Sequence, residues 1–114
     1  MKRLMSIIAV VLVFTVPAFA LSDAEYLRMK KSSADFAEAD KFLSDAYNNV
    51  KNVMPRSEFA SIKEEQREWI KSGRDEAARA FMNEGYSKIE AYTKATEERG
   101  EELYHIFQMY MKGN

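Results

Sequence analysis

Phe36-Ala37-Glu38-Ala39-Asp40-Lys41-Phe42-Leu43-Ser44-Asp45-Ala46-Tyr47-Asn48-Asn49-Val50-Lys51-Asn52-Val53 is the stretch that decides the fold. Its apolar positions Phe36, Ala39, Leu43, Ala46, Val50 and Val53 advance by three and four residues in turn. That step keeps every one of them on a single face of an α-helix, the pattern of a bundle seam. Upstream, Ser22 followed by Glu25 is a capping box that opens the first helical segment, and Ser32-Ser33 marks a kink between a short first piece and the main helix. Downstream, Pro55 ends the segment, because its ring denies the preceding turn its usual geometry.

A second helix follows, with Ser57 as its expected cap and Phe59, Ile62, Gln66, Trp69, Ile70, Ala77 and Phe81 on its inner face. Gly73 falls in mid-helix, where glycine costs about 1 kcal/mol relative to alanine. Its presence there points to a close helix crossing or a local bulge. Gly85 suits the left-handed position just past a helix end. Ser87-Lys88-Ile89-Glu90 is a second capping box, and the stripe Tyr92, Thr96, Arg99, Leu103, Ile106 and Tyr110 defines a third helix. No alternating β-branched run or Asn-Gly turn competes with this reading. Short connections make neighbouring helices antiparallel. The expected fold is therefore all-α, an antiparallel three-helix bundle with up-down-up order.

The first twenty residues read differently. Lys2 and Arg3 precede an apolar run from Leu4 to Val16, then Pro17 and the small-x-small triplet Ala18-Phe19-Ala20. This is the pattern of a cleavable signal peptide over residues 1–20, and the run is too short for the roughly 20 residues that span a bilayer. The mature chain is then a single domain over residues 21–114, periplasmic or secreted, with no stable membrane anchor. Removing the leader takes away two of the 17 basic residues and none of the 18 acidic ones, leaving a net charge of −3. Charges of both signs are interleaved, which argues against nucleic acid as a partner. With Cys 0, the exported chain must hold itself together by packing alone.

Chemistry is poorly provided for. His105 is the single histidine; on its helix it shares a face with Glu101, Glu102 and Met109, with Met111 nearby, a set read as ordinary surface. A nucleophile activated by histidine and an orienting acid needs residues that the chain does not bring together in sequence. The Glu64-Glu65-Glu68 and Glu97-Glu98-Glu101-Glu102 clusters alternate with lysine and arginine as solvated helix faces do. The reading is a non-enzymatic binding protein with no catalytic residue, cofactor or metal.

Two segments carry a resemblance. Ala39-Asp40-Lys41-Phe42-Leu43-Ser44-Asp45-Ala46-Tyr47 is similar to the pattern Ala-Asp-x-x-Leu-Asn-x-x-Tyr, and Gln66-Arg67-Glu68-Trp69-Ile70 with Arg74-Asp75 is similar to Gln-Arg-x-Trp-Ile followed by Arg-Asp. In this order, on consecutive helices, they resemble the DUF1311 or LprI-like lysozyme-inhibitor family of small exported bacterial proteins. This chain departs from the family's pattern in lacking its paired cysteines and in having Ser44 where asparagine is usual. The interval from Trp69 to Arg74 is also one residue longer, with Gly73 in the gap. The resemblance implies a protein partner, a lysozyme, blocked by occlusion of its cleft. The alternative is an envelope structural or stress-related accessory module that binds another envelope protein.

The motif residues Asp40, Leu43, Tyr47, Gln66, Arg67, Trp69, Arg74 and Asp75 are read as structural. Asp40 is expected to pair with Arg67 or Arg74 across the hairpin. Partner contact is expected at the two helix-joining turns, through Arg56 and Ser57 at one and Glu84 and Tyr86 at the other, because loops on a rigid scaffold are readily shaped for binding.

Overall fold

The computed structural model describes residues 21–113, all but the first two of them in helices or the short links between them. The elements are α1 (Asp23–Ser32), α2 (Ala34–Val53), α3 (Arg56–Glu68), a π-helical turn (Trp69–Gly73), α4 (Arg74–Asn83) and α5 (Lys88–Gly113). Because α3, the π turn and α4 follow one another without a break, the described residues form four helices. The all-helical expectation stands, but the count of three is corrected. Ser33 is the reason: its backbone is extended, at φ −130° and ψ 113°, so it separates α1 from α2 instead of kinking one helix. The Ser33 hydroxyl accepts the Phe36 N–H at 3.1 Å, making the break the cap of the next helix. The leader proposed for residues 1–20 lies outside the described residues.

The capping boxes form as the sequence predicts. Ser22 and Glu25 exchange side-chain and backbone bonds at the start of α1, and Ser87 and Glu90 do the same before α5. Gly85 has φ +110° and closes α4. Ser57, in contrast, caps nothing. The helix after the first turn begins two residues earlier than that cap implies, at Arg56, with Pro55 in the capping position and no side-chain bond. The Pro55 carbonyl accepts the Glu58 and Phe59 N–H groups, and proline has no N–H to leave unsatisfied there.

The apolar stripe of α2 is buried from Phe36 to Val50 and lies along α5, the most extensive helix contact among the described residues. The two helices pack tightly at Gly100, where a Cβ would sit 2.6 Å from the Phe42 ring and 3.4 Å from the Leu43 Cα. The core divides into two clusters. One joins Leu21, Met29, Phe36, Ala78, Ala91, Tyr92 and Ala95. The other joins Leu43, Ala46, Val50, Phe59, Ile62 and Leu103. Phe36 thus meets the start of α5, while Leu43 and Val50 meet its middle, so α2 and α5 run the same way. The segment 56–83 runs against α5, with Asp75 bonded to Tyr92 at one end and Glu58 to Tyr110 at the other.

The inner face of that long segment departs from the sequence reading at one place. Phe59 and Ile62 are buried, but Ile70 is 49% exposed, and beyond the π turn Asp75 and Ala78 are the buried positions. A π turn takes one more residue per turn than an α-helix. Ile70 therefore falls on the solvent side, and a stripe counted in α-helical steps fails across it.

Candidate functional site

The motif residues fall into separate groups: Asp75, Asp40 and Gln66 each hold a polar partner from another helix or the chain start, Leu43, Tyr47 and Trp69 lie with one apolar cluster, and Arg67 is exposed. Asp75 sits in the first turn of α4 at 5% exposure. It accepts the hydroxyl of the fully buried Tyr92 and the backbone N–H of Leu21, the latter at 3.2 Å. Burial first, and then the bond to Asp75, pushes the Tyr92 hydroxyl well above the usual phenol range, so it remains a donor. Asp40 plays the same part for α1: it accepts the Tyr26 hydroxyl at 2.6 Å and pairs with Lys30 at 3.3 Å. Tyr26 is likewise pushed up, by burial and then by Asp40.

The expected pairing of Asp40 with Arg67 or Arg74 is thereby corrected. Arg67 is exposed and pairs within its own helix with Glu64. Arg74 lays its guanidinium over the rings of Tyr26 and Trp69, 5.7 and 5.9 Å from their centroids. An arginine can be held this way by aromatic faces without a carboxylate. Tyr26 of α1 lies between Asp40 and Arg74, its hydroxyl on Asp40 and its ring against Arg74, so the docking of this short helix takes the partner.

Gln66 has a role that helix spacing alone does not show. Its side-chain oxygen accepts Arg99 Nε at 2.8 Å, while the same guanidinium reaches Glu102 at 3.0 Å and Glu65 at 3.6 Å. Arg99 is 8% exposed, so this charge is buried and must be paired. Leu43 belongs to the cluster with Val50 and Leu103, and Tyr47 and Trp69 pack against that cluster; Tyr47 lies 5.3 Å from Phe59, ring to ring. The signal for Arg99 was present, as an arginine on an otherwise apolar stripe. Tyr26 carried none, since its partner is set by where α1 docks.

The four turn residues are not brought together. Arg56 and Ser57 lie at one end of the 56–83 segment and Glu84 and Tyr86 at the other, about 40 Å apart at 1.5 Å per residue. All four are exposed. Tyr86 is fixed by an edge-on contact with Phe81 at 5.9 Å and by Lys94 4.9 Å above its ring. Nearby, the Glu98 carboxyl is held above the usual range, by partial burial first and then by Glu102, Glu101 and Glu84. That end of the molecule therefore carries a rigid aromatic close to Glu84, with further carboxylates along α5. His105 is exposed on α5 next to Tyr104. No described helix is long and apolar enough to cross a membrane.

A small all-helical domain, held by packing and by buried carboxylate–hydroxyl bonds instead of disulfides, is the class these features define. The family described as lysozyme inhibitor LprI matches residues 23–105, and the chain belongs to that family. No curated protein and no solved structure matches it.

Proposed function

We propose that this protein is an exported inhibitor that occludes the substrate cleft of a lysozyme. The observation that carries the proposal is the family match from α1 to the second half of α5. The leader motif would deliver the chain to the periplasm or beyond, where such an enzyme acts. Occlusion requires one end of the molecule to enter one cleft, so the two turns cannot serve together. The Glu84–Tyr86 end suits the task better. Tyr86 offers a large ring already held by Phe81 and Lys94, which lowers the ordering cost of binding. Glu84 beside it, with Glu98 further along α5, complements a cationic enzyme and speeds its approach.

The test is a cell-wall lysis assay in which the exported protein is titrated against c-type and g-type lysozymes. Near-stoichiometric inhibition is expected. Tyr86→Ala is expected to weaken it by about tenfold or more, equivalent to ~1.4 kcal/mol, whereas Arg56→Ala leaves it unchanged. If neither enzyme is inhibited at large excess, the inhibitor reading fails. The envelope accessory role then takes its place, favoured by the exposed Phe42 and Tyr104 rings, 6.2 Å apart, with Met109 further along α5.

A further inference from the structure

Asp75 is a carboxylate at 5% exposure whose partners among the described residues, the Tyr92 hydroxyl and the Leu21 N–H, are both neutral donors. The adjacent cation, Arg74, is directed to the faces of Tyr26 and Trp69. A buried charge met only by neutral groups is costly, and an opposite charge in contact removes much of that cost. Leu21 is buried in the cluster with Met29, Phe36 and Tyr92, and Ser22 directly after it is fixed as the cap of α1. The Leu21 nitrogen is therefore held at the carboxylate from both sides. It is also the nitrogen of the peptide bond that follows Ala18-Phe19-Ala20, the small-x-small triplet.

We propose that cleavage after Ala20 turns the Leu21 nitrogen into an α-ammonium that forms a buried ion pair with Asp75, so that removal of the leader completes the core. Hydrolysis by a signal peptidase adds water across the Ala20–Leu21 bond. The hydroxyl goes to the Ala20 carbonyl carbon and a hydrogen to the Leu21 nitrogen, which takes a further proton from solvent to become the ammonium. The proposal rests on the export reading above and adds to it: processing does more than release the chain, since it supplies the counter-ion of a core carboxylate. The bond seen from the neutral N–H becomes a charge-assisted one, stronger and shorter for the same geometry.

The experiment uses the full chain, exported and purified from the cell envelope. Its mass identifies the first residue, and brief acetylation at pH 7 measures how fast the α-amine reacts, natively and in urea. A chain that starts at Leu21 is expected to react at least about tenfold more slowly when folded, because each tenfold loss of neutral amine corresponds to ~1.4 kcal/mol favouring the ammonium. Asp75→Asn is expected to abolish that protection, while Tyr92→Phe, which keeps the carboxylate, retains most of it. General loosening of the core would expose the amine in both variants. If Asp75→Asn does not fold, the native-against-urea comparison and Tyr92→Phe still decide. A Leu21 amine that reacts equally fast in both conditions overturns the ion pair and leaves export intact. A mature chain that starts elsewhere overturns the pair and the cleavage site together.

Discussion

Tyr92 is fully buried, and its hydroxyl donates to a carboxylate that is almost as deeply buried. Removing that donor while keeping the ring should cost about 1–3 kcal/mol, the penalty of leaving a buried acceptor short of a partner. Tyr92→Phe is thus expected to lower the urea midpoint with little change in slope. Gly85 and Gly100 are demanding for different reasons. At Gly85 the space is open but φ is +110°, so Gly85→Ala should cost about 1 kcal/mol from backbone strain alone. At Gly100 the helical backbone would welcome a side chain, and the neighbour forbids it. An alanine there can displace the half-exposed Phe42 ring, but the branched Gly100→Val also crowds the Leu43 backbone and should cost about 1–3 kcal/mol. Thermal melts of the two Gly100 variants would separate these effects. The left-handed role of Gly85 was legible from its place after a helical run. The role of Gly100 was not, because it depends on which residue of another helix lies opposite.

At the level of elements, the π turn is where local and global order part. The extra residue between Trp69 and Arg74 is absorbed within Trp69–Gly73, and α3 and α4 keep their inward faces on either side of it. Deleting Gly73 should therefore yield an uninterrupted α-helix with Asp75 and Ala78 still buried and the melting temperature unchanged or higher. Inserting an alanine after Ser72 should instead rotate α4 by about 100°, one residue of helix, and lower stability sharply. Circular dichroism melts of both variants check this. α1 is a second such case. Its capping box was plain in the sequence, yet its docking depends on Tyr26–Asp40, Lys30–Asp40 and Lys88–Glu25. Asp40→Ala is expected to lower global stability by only about 1–2 kcal/mol, while amide exchange speeds up selectively across α1.

For the molecule as a whole, acid has two opposing effects. The Lys88 ammonium, and then the Ser22 backbone, hold the Glu25 carboxyl below its ordinary 4.5. The folded chain binds that proton less readily than the unfolded chain, so this contribution is complete above about 4.5 and is lost as pH falls through the lower folded value. Glu98 is raised from the same 4.5, and the sign reverses. Its ionised form penalises the fold at neutral pH, and the penalty is relieved as pH falls towards the ordinary value. Glu98→Gln is accordingly expected to be more stable than the parent at pH 7, with the gap closing near pH 4.5, as melts at the two pH values would show. Glu98 also bears on binding, since with Glu84 it offers negative charge to a cationic partner on the side of the molecule that carries Tyr86.

The sequence by itself determined what is local or periodic: helices, both capping boxes, the break at Pro55, the buried face of α2 and, through two short motifs, the family. These follow from spacing and from bonds between residues three or four apart, and need no knowledge of the rest of the chain. Only the tertiary structure decided that there are four helices, that Asp40 answers Tyr26 and Lys30 instead of an arginine, that Gln66 holds Arg99, and that the two turns face opposite ways. Each of these depends on which side chain lies opposite across a helix interface, and a one-residue bulge is enough to change it. Asp75 shows the limit most plainly: it is separated by 54 residues from the Leu21 nitrogen, and no periodicity in the sequence connects them.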